Sequence, residues 1–156
     1  MSKITEEEIQ KILPVKGPYF EEVKNYLEKY NNEYIVIKCG GSVLVNKDLF
    51  NNFINDIAIL NKLGFIPIII HGGGKRISNK LNEVGIKSDF INGLRVTDKN
   101  SINIIEDVLI NFNKEIIESL KKNLCESQSI TSKENNILTM AQQLFIMKRT
   151  TVKTVT

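Results

Sequence analysis

Two glycine-rich segments in this sequence carry residue types that could bind a phosphate or another anion. Residues 38–42 read Lys-Cys-Gly-Gly-Ser, and residues 71–74 read His-Gly-Gly-Gly. Glycine lacks a Cβ and tolerates positive φ, so its backbone N–H group can approach an anion closely. Each segment alone is also compatible with a plain tight turn or a flexible loop. Their occurrence after two successive predicted strands favours an anion-binding function for both.

Neither glycine segment matches the common nucleotide-binding fingerprints. The sequence contains no Gly-x-x-x-x-Gly-Lys-Ser/Thr motif, and neither segment reads Gly-x-Gly-x-x-Gly. The second segment immediately precedes a predicted helix, and helix N-termini attract anions through their free N–H groups and the helix dipole. The two segments therefore predict a phosphate site of a different design.

Arg95 is the candidate for binding a carboxylate. It lies in the compact segment 92–98 together with Asn92, Gly93 and Thr97. A guanidinium group can hold a carboxylate through two parallel hydrogen bonds. Taken alone, an arginine in such a segment is more often an ordinary surface residue. His71, the only histidine, lies at the end of a predicted strand, where a structural role is more common than a catalytic one.

Hydrophobic periodicity places these residues within alternating strands and helices. Helices are predicted for 6–13, 20–30, 50–60, 77–84 and 105–120, and apolar runs predict strands at 34–37 and 65–70 that are buried on both faces. Residues 89–98 predict a hairpin or an ordered loop, and residues 137–140 begin a further strand. Alternation of strand, glycine turn and helix predicts an α/β fold with a parallel-type sheet and flanking helices.

The sequence also predicts how the chain is divided. We expect an N-terminal helical extension at 1–32, a substrate-binding region at 33–140 and an atypical tail at 141–156. The hydrophobic periodicity becomes irregular after Cys125. We therefore expect an incomplete fold in which apolar faces of the sheet and helices stay uncovered.

Composition excludes several function classes. Charged residues make up 25% of the chain and the net charge is only +3, which is too small and too scattered for nucleic-acid binding. The longest apolar run is too short to cross a bilayer, and the polar N-terminus does not resemble a secretory signal. Cys39 and Cys125 form no metal-ligand spacing or disulfide framework, so no metal site is predicted and a cytoplasmic location is expected.

Taken together, these motifs resemble those of the amino acid kinase family. The resemblance implies a fold in which the sheet lies between layers of helices, an αβα sandwich. The resemblance rests on 35–42, 69–74, Gly85-Ile86 and the 93–98 segment Gly-Leu-Arg-Val-Thr-Asp, with support from 113–116. The glycine segments are shared across the family, whereas the 93–98 segment is similar to members that act on N-acetyl-L-glutamate in arginine biosynthesis. The resemblance runs from about residue 13 to about residue 139.

The resemblance implies ATP-dependent phosphorylation of the side-chain carboxylate of N-acetyl-L-glutamate, with Mg²⁺ expected beside ATP. It implies that Lys38 is catalytic and neutralises charge on the transferred phosphoryl group. By the same resemblance, phosphate is bound by Gly40, Gly41 and Gly72, and the substrate is bound by Gly73, Gly74 and Arg95. The sequence departs from the family pattern at Cys39, Lys75 and Ser78, where an aromatic residue, a proline and an asparagine are usual.

The resemblance covers only the N-terminal half of a family member. The half expected to hold ATP has no counterpart in the sequence, so this chain alone is expected to be inactive. The N-terminal helices are similar to those of oligomeric members, which implies a homo-oligomer through the sheet and these helices. Two alternatives stay open: a non-catalytic truncated product or module that docks on a partner subunit, and another amino acid kinase with a different substrate.

Overall fold

The computed structural model describes residues 4–41 and 45–131, which form five helices and four strands. The predicted strand at 137–140 and the tail at 141–156 lie outside the described residues. The division into an extension at 1–32 and a main region at 33–140 stays a prediction. In chain order, the elements are α1 (Glu6–Ile12), α2 (Phe20–Lys29), β1 (Tyr34–Cys39), α3 (Lys47–Lys62), β2 (Ile66–His71), α4 (Gly74–Glu83), β3 (Phe90–Ile91), β4 (Leu94–Arg95) and α5 (Ile102–Lys122).

Strands β1 and β2 form a parallel pair joined by the crossover helix α3. The register places Tyr34 opposite Ile66 and Cys39 opposite His71. Both strands therefore end at the same edge of the sheet, and the two glycine segments leave it side by side. This β–α–β unit confirms the predicted α/β class. The predicted hairpin is also present, with β3 and β4 pairing antiparallel.

The helices α3, α4 and α5 pack together beside the sheet. Their apolar stripes were predicted as core faces, and the structure confirms this. The core contains Cys39, Phe50, Ile54, Ile57, Phe112, Ile116, Leu120 and Cys125. Gly64 ends α3 with a φ of 98°, which a non-glycine residue rarely adopts, and so fulfils its predicted capping role.

The other face of β1 is open within the described residues, and the prediction of a strand buried on both faces was wrong. Along β1, exposed and partly buried positions alternate; Tyr34 is 68% exposed and Val36 is 57% exposed. Burial on both faces requires a second layer of helices, and the described helices that pack against the sheet lie against the Cys39 face. A run of apolar residues could not reveal this, because it reads alike whether one or two faces are covered.

No helix in the described part of the chain combines the length and the apolar content needed to cross a membrane.

Candidate functional site

The strand ends create a pocket that brings four of the predicted site residues together. It has a volume of about 490 Å³ and opens where the two glycine segments leave the sheet. Its lining consists of Gly41, Gly72, Gly74, Lys75, Ser78, Asn79, Phe90 and Arg95. Two of these side chains are basic, and none of the described lining residues is acidic. The pocket is therefore suited to an anionic ligand.

Arg95 reaches this pocket because the β3–β4 hairpin folds back towards the start of α4. Its Nη2 atom donates to Ser78 Oγ at 2.8 Å and to the backbone oxygen of Gly74 at 3.2 Å. Its Nη1 atom donates to Ser88 Oγ. The guanidinium carbon Cζ lies 4.7 Å from the centre of the Phe90 ring. All of these partners are uncharged, so no described carboxylate neutralises the charge of Arg95.

Lys75 is a pocket residue that the sequence-based site prediction missed. It lies in the first turn of α4, where a cation is unfavourable beside the positive end of the helix dipole. That first turn contains no acidic residue. The signal in the sequence was a lysine directly after the glycine segment, at a position where the family usually has proline. A bound anion would offset the local repulsion.

Lys38 and Gly40 do not line the pocket. Lys38 is the penultimate residue of β1, lies opposite Ile70 and is exposed. Strand alternation places its side chain on the opposite face of the sheet from Cys39. Both residues are next to the pocket in sequence, since Gly41 contributes to its wall. Their catalytic and phosphate-binding roles stay predictions.

Gly73 is buried and packs against other parts of the chain. A Cβ atom at Gly73 would lie 2.7 Å from Leu109 Cδ2 and 3.1 Å from Ile77 Cδ1, whereas one at Gly74 would meet no atom within 4 Å. The absence of a side chain at Gly73 therefore lets α4 approach α5. Its predicted role in substrate binding stays a prediction, and close packing is a second reason for glycine here.

His71, which precedes the pocket residue Gly72 in the chain, is a buried polar residue. Its ring contacts the Phe112 ring edge-on, with centroids 4.8 Å apart. Burial lowers the pKa of His71, and the charge of Arg76 acts in the same direction, while the Asn113 side chain opposes the shift. A buried ring with a lowered pKa is neutral near pH 7, which agrees with the predicted structural role.

Asp98, at the end of the 93–98 segment, organises the start of α5. Its Oδ1 accepts from the backbone N–H of Ser101 at 2.8 Å and from Ser101 Oγ at 2.6 Å. The hydroxyl and backbone hydrogen bonds from Ser101 lower the pKa of Asp98. Two residues of the segment 93–98 therefore have different surroundings: Arg95 lines the pocket, and Asp98 connects the hairpin to α5.

A second arginine, Arg76, has a different environment on the α4–α5 side. Its Nη1 and Nη2 atoms donate to the two carboxylate oxygens of Glu115 at 2.5 Å and 3.2 Å. Its guanidinium lies 4.0 Å from the centre of the Phe112 ring. No local pattern in the sequence indicates this pair, because the two residues are 39 positions apart.

The match to a family model identifies the class of protein. Residues 33–155 match the model described as the amino acid kinase family. The chain belongs to this family. This confirms the resemblance that the glycine segments and the hairpin segment indicated.

The curated relatives narrow the comparison to one kind of member. The chain is 66% identical to acetylglutamate kinase of Pelagibacter ubique over 143 residues, which are 92% of this chain and 50% of that protein. It is 43% identical to acetylglutamate kinase of Campylobacter curvus over 114 residues, or 72% of this chain and 41% of that protein. The chain thus spans about half the length, or less, of these relatives.

Solved structures with the same fold include two of N-acetylglutamate synthase from Neisseria gonorrhoeae. One, complexed with coenzyme A and N-acetyl-glutamate, superposes with a TM-score of 0.56 at 23% identity over 67% of this chain and 24% of that one. The other, complexed with coenzyme A and L-arginine, gives a TM-score of 0.53 at 25% identity over 71% and 25%. These likenesses concern the fold.

Proposed function

We propose that this chain carries the N-acetyl-L-glutamate-binding region of an acetylglutamate kinase, an enzyme of arginine biosynthesis. The observation that carries the proposal is the basic pocket that Arg95 lines together with Gly41, Gly72 and Gly74. The names of the two relatives above support the substrate.

The proposed reaction needs mainly positioning and charge stabilisation. A carboxylate oxygen of the substrate attacks the γ-phosphorus of ATP, a new P–O bond forms, and the bond to the ADP oxygen breaks. Arg95 holds a substrate carboxylate, and backbone N–H groups of the glycine segments donate to the phosphoryl oxygens. Lys38 neutralises charge that develops on the phosphoryl group. These groups orient the substrate and need not take or give a proton.

Of ATP, we expect the phosphate groups to meet this pocket, while most of the ATP pocket has no counterpart in the sequence. The described pocket offers cations and backbone donors, which suit phosphate oxygens. The described residues contain no group of three or more histidine, cysteine or acidic residues that could hold a metal ion. Mg²⁺ commonly binds through substrate phosphates and water, and beside ATP it would supply charge neutralisation.

The proposal extends to activity and assembly. We expect this chain to bind substrate without turnover, because it spans only half the length of its catalytic relatives.

We place the chain in the cytoplasm and expect it to form a homo-oligomer. The exposed side chains of Tyr26 on α2 and of Tyr34 and Val36 on β1 support the assembly, because a second copy could cover them. An assembly that dissociates on Tyr34→Ser in analytical ultracentrifugation would support this arrangement, and a monomeric wild-type chain would contradict it.

The substrate is tested by isothermal titration calorimetry of the chain with N-acetyl-L-glutamate, L-glutamate and L-aspartate. We expect binding of the acetylated ligand only, weakened about 10- to 100-fold by Arg95→Ala, because a charged fork contributes roughly 1.5–3 kcal/mol. Lys99→Ala removes the same charge from a nearby exposed position outside the pocket and is the control.

Each other outcome points to a different alternative. Preference for L-aspartate or L-glutamate would favour another amino acid kinase. Absence of binding to all three ligands would favour the non-catalytic docking module. ATP-dependent acetylglutamyl phosphate formation that Lys38→Ala abolishes would contradict the expectation of no turnover. Equal affinity of Arg95→Ala and the wild-type chain would exclude Arg95 as the carboxylate ligand.

A further inference from the structure

The edge of the Arg95 guanidinium group from which an arginine binds carboxylates already donates hydrogen bonds to acceptors of its own chain. Its Nη2 atom has two hydrogens and already has two acceptors, Ser78 Oγ at 2.8 Å and Gly74 O at 3.2 Å. The geometry of the guanidinium group allows two parallel bonds to a carboxylate either from Nε and Nη2 or from Nη1 and Nη2. Both arrangements use Nη2. A carboxylate that binds through a fork must therefore compete with one of these acceptors.

Of the two acceptors, the Ser78 hydroxyl is the one that can leave. The carbonyl of Gly74 belongs to the first turn of α4 and moves only with the helix backbone. Ser78 Oγ, by contrast, rotates about a single bond and also donates to Gly74 O at 3.0 Å. When it rotates away from Arg95, the Ser78 hydroxyl gives up both contacts and is hydrated instead, because it lines the open pocket. Its departure therefore leaves no unsatisfied donor behind.

Ser88 also accepts a hydrogen bond from Arg95, but from Nη1 and not from Nη2. It accepts from Nη1, which has a second hydrogen, and the fork formed by Nε and Nη2 does not use Nη1 at all. The Phe90 ring supports the plane of the same guanidinium. Ser88 and Phe90 therefore restrict the side chain of Arg95 without occupying its carboxylate-binding edge.

We propose that Ser78 is a displaceable stand-in for the substrate carboxylate, while Ser88 is a positioning residue that keeps Arg95 oriented towards the pocket. This rests on the proposed carboxylate-binding role of Arg95 and deepens it. In the empty pocket the Ser78 hydroxyl occupies Nη2, and an incoming carboxylate replaces it. The carboxylate brings a full negative charge to Nη2, so the exchange strengthens the hydrogen bond.

The two serines then have opposite effects on affinity, although each makes the same kind of bond to the same arginine. Ser78→Ala removes the competitor and is expected to tighten N-acetyl-L-glutamate binding about 2- to 10-fold, the range of one hydrogen bond. Ser88→Ala frees the side chain, which must then be ordered on binding, and is expected to weaken binding by a similar factor.

Ser119 offers a matched control. Its hydroxyl donates to Glu115 O at 2.8 Å, the same bond to the preceding turn of a helix that Ser78 makes to Gly74 O. Ser119→Ala should leave affinity unchanged. Alanine favours helix more than serine does, so Ser78→Ala and Ser119→Ala are both expected to fold.

The experiment is calorimetric titration of the wild-type chain and these variants with N-acetyl-L-glutamate, together with NMR of the Arg95 guanidinium in the absence of ligand. Slow rotation of the Nη groups is expected in the wild-type chain and faster rotation in Ser78→Ala. Tighter binding by Ser78→Ala, with Ser119→Ala unchanged, supports the proposal.

The contrary results separate the two proposals. Equal or weaker binding by Ser78→Ala overturns the stand-in role and leaves the proposed substrate intact. Tighter binding by Ser119→Ala as well overturns it too, because a general loosening of helices would then explain the effect. If neither the wild-type chain nor Ser78→Ala binds N-acetyl-L-glutamate, the proposed substrate fails, and the stand-in role fails with it.

Discussion

Two arginines, Arg76 within α4 and Arg95 beside it, differ in the groups that accept their hydrogen bonds. Arg76 stacks on the buried Phe112 ring, and the carboxylate of Glu115 fills its fork. Arg95 lies over the exposed Phe90 ring, and its hydrogen-bond acceptors among the described residues are all uncharged oxygens. The carboxylate of Glu115 neutralises the charge of Arg76 and connects α4 with α5. The neutral acceptors of Arg95 leave its positive charge available to an external anion. The difference predicts that the two sides of α4 respond differently to mutation.

The largest expected effect comes from the rings beneath the two arginines. Phe112 is 1% exposed and also contacts His71 and Phe50, while Phe90 is 56% exposed. Phe112→Ala should lower the free energy of unfolding by about 3–5 kcal/mol, since it removes a fully buried ring and leaves a cavity. Phe90→Ala should change it by less than about 0.5 kcal/mol, as for most surface positions.

Urea unfolding followed by circular dichroism measures both changes. A large loss of stability in Phe90→Ala would show that the pocket side is also structural and would break the comparison.

An intermediate effect is expected at the adjacent glycines where α4 begins. Gly73→Ala would place its Cβ against Leu109 and Ile77, and the expected destabilisation is about 1–3 kcal/mol because of overpacking. Gly74→Ala meets no atom and replaces a helical glycine, so it should stabilise the fold by up to about 1 kcal/mol.

Gly74 also lines the pocket, so its variant separates stability from binding. We expect weaker N-acetyl-L-glutamate binding by Gly74→Ala in calorimetry, even as its melting temperature rises. Retained affinity would indicate that the ligand does not approach the start of α4.

The smallest expected effect on stability comes from the ion pair between Arg76 and Glu115. The Arg76 and Glu115 side chains are 32% and 44% exposed, so solvent screens their attraction. Glu115→Gln should cost only about 0.5–1 kcal/mol, and the cost should shrink in 1 M salt. Glu83→Gln, which removes the more exposed pair with Lys80, is the matched control and should cost less.

Ligand binding sharpens this last test. Glu115→Gln should leave affinity for N-acetyl-L-glutamate unchanged, since Glu115 lies outside the pocket. A change in affinity as large as that of Arg95→Ala would mean that both arginines belong to one site.

Much of the fold was predictable because local patterns carry it. The spacing of apolar residues identified the helices that the structure describes, and glycines marked where strands and helices end. Both glycine segments were placed correctly at strand ends, so their convergence followed from parallel pairing alone. The open face of β1 was not predictable, since burial depends on which helices lie against the sheet and not on the strand itself.

The lining of the candidate pocket was predictable only in part. Arg95 and three pocket glycines followed from the motifs, whereas Lys75 was missed because a lysine after glycines resembles any surface lysine. The family resemblance assigned Lys38 to catalysis, but the described pocket does not include it.

The sequence by itself determined the family, the alternation of strands and helices, and the two glycine segments. These properties depend on residue type and on spacing over a few turns, so the chain encodes them locally. Only the tertiary structure decided which arginine keeps its charge available. That depends on Glu115 meeting Arg76 across 39 residues, and on Ser78 and Ser88 meeting Arg95 across 17 and 7 residues. Contacts of that range arise from packing, which brings together residues that no local pattern connects.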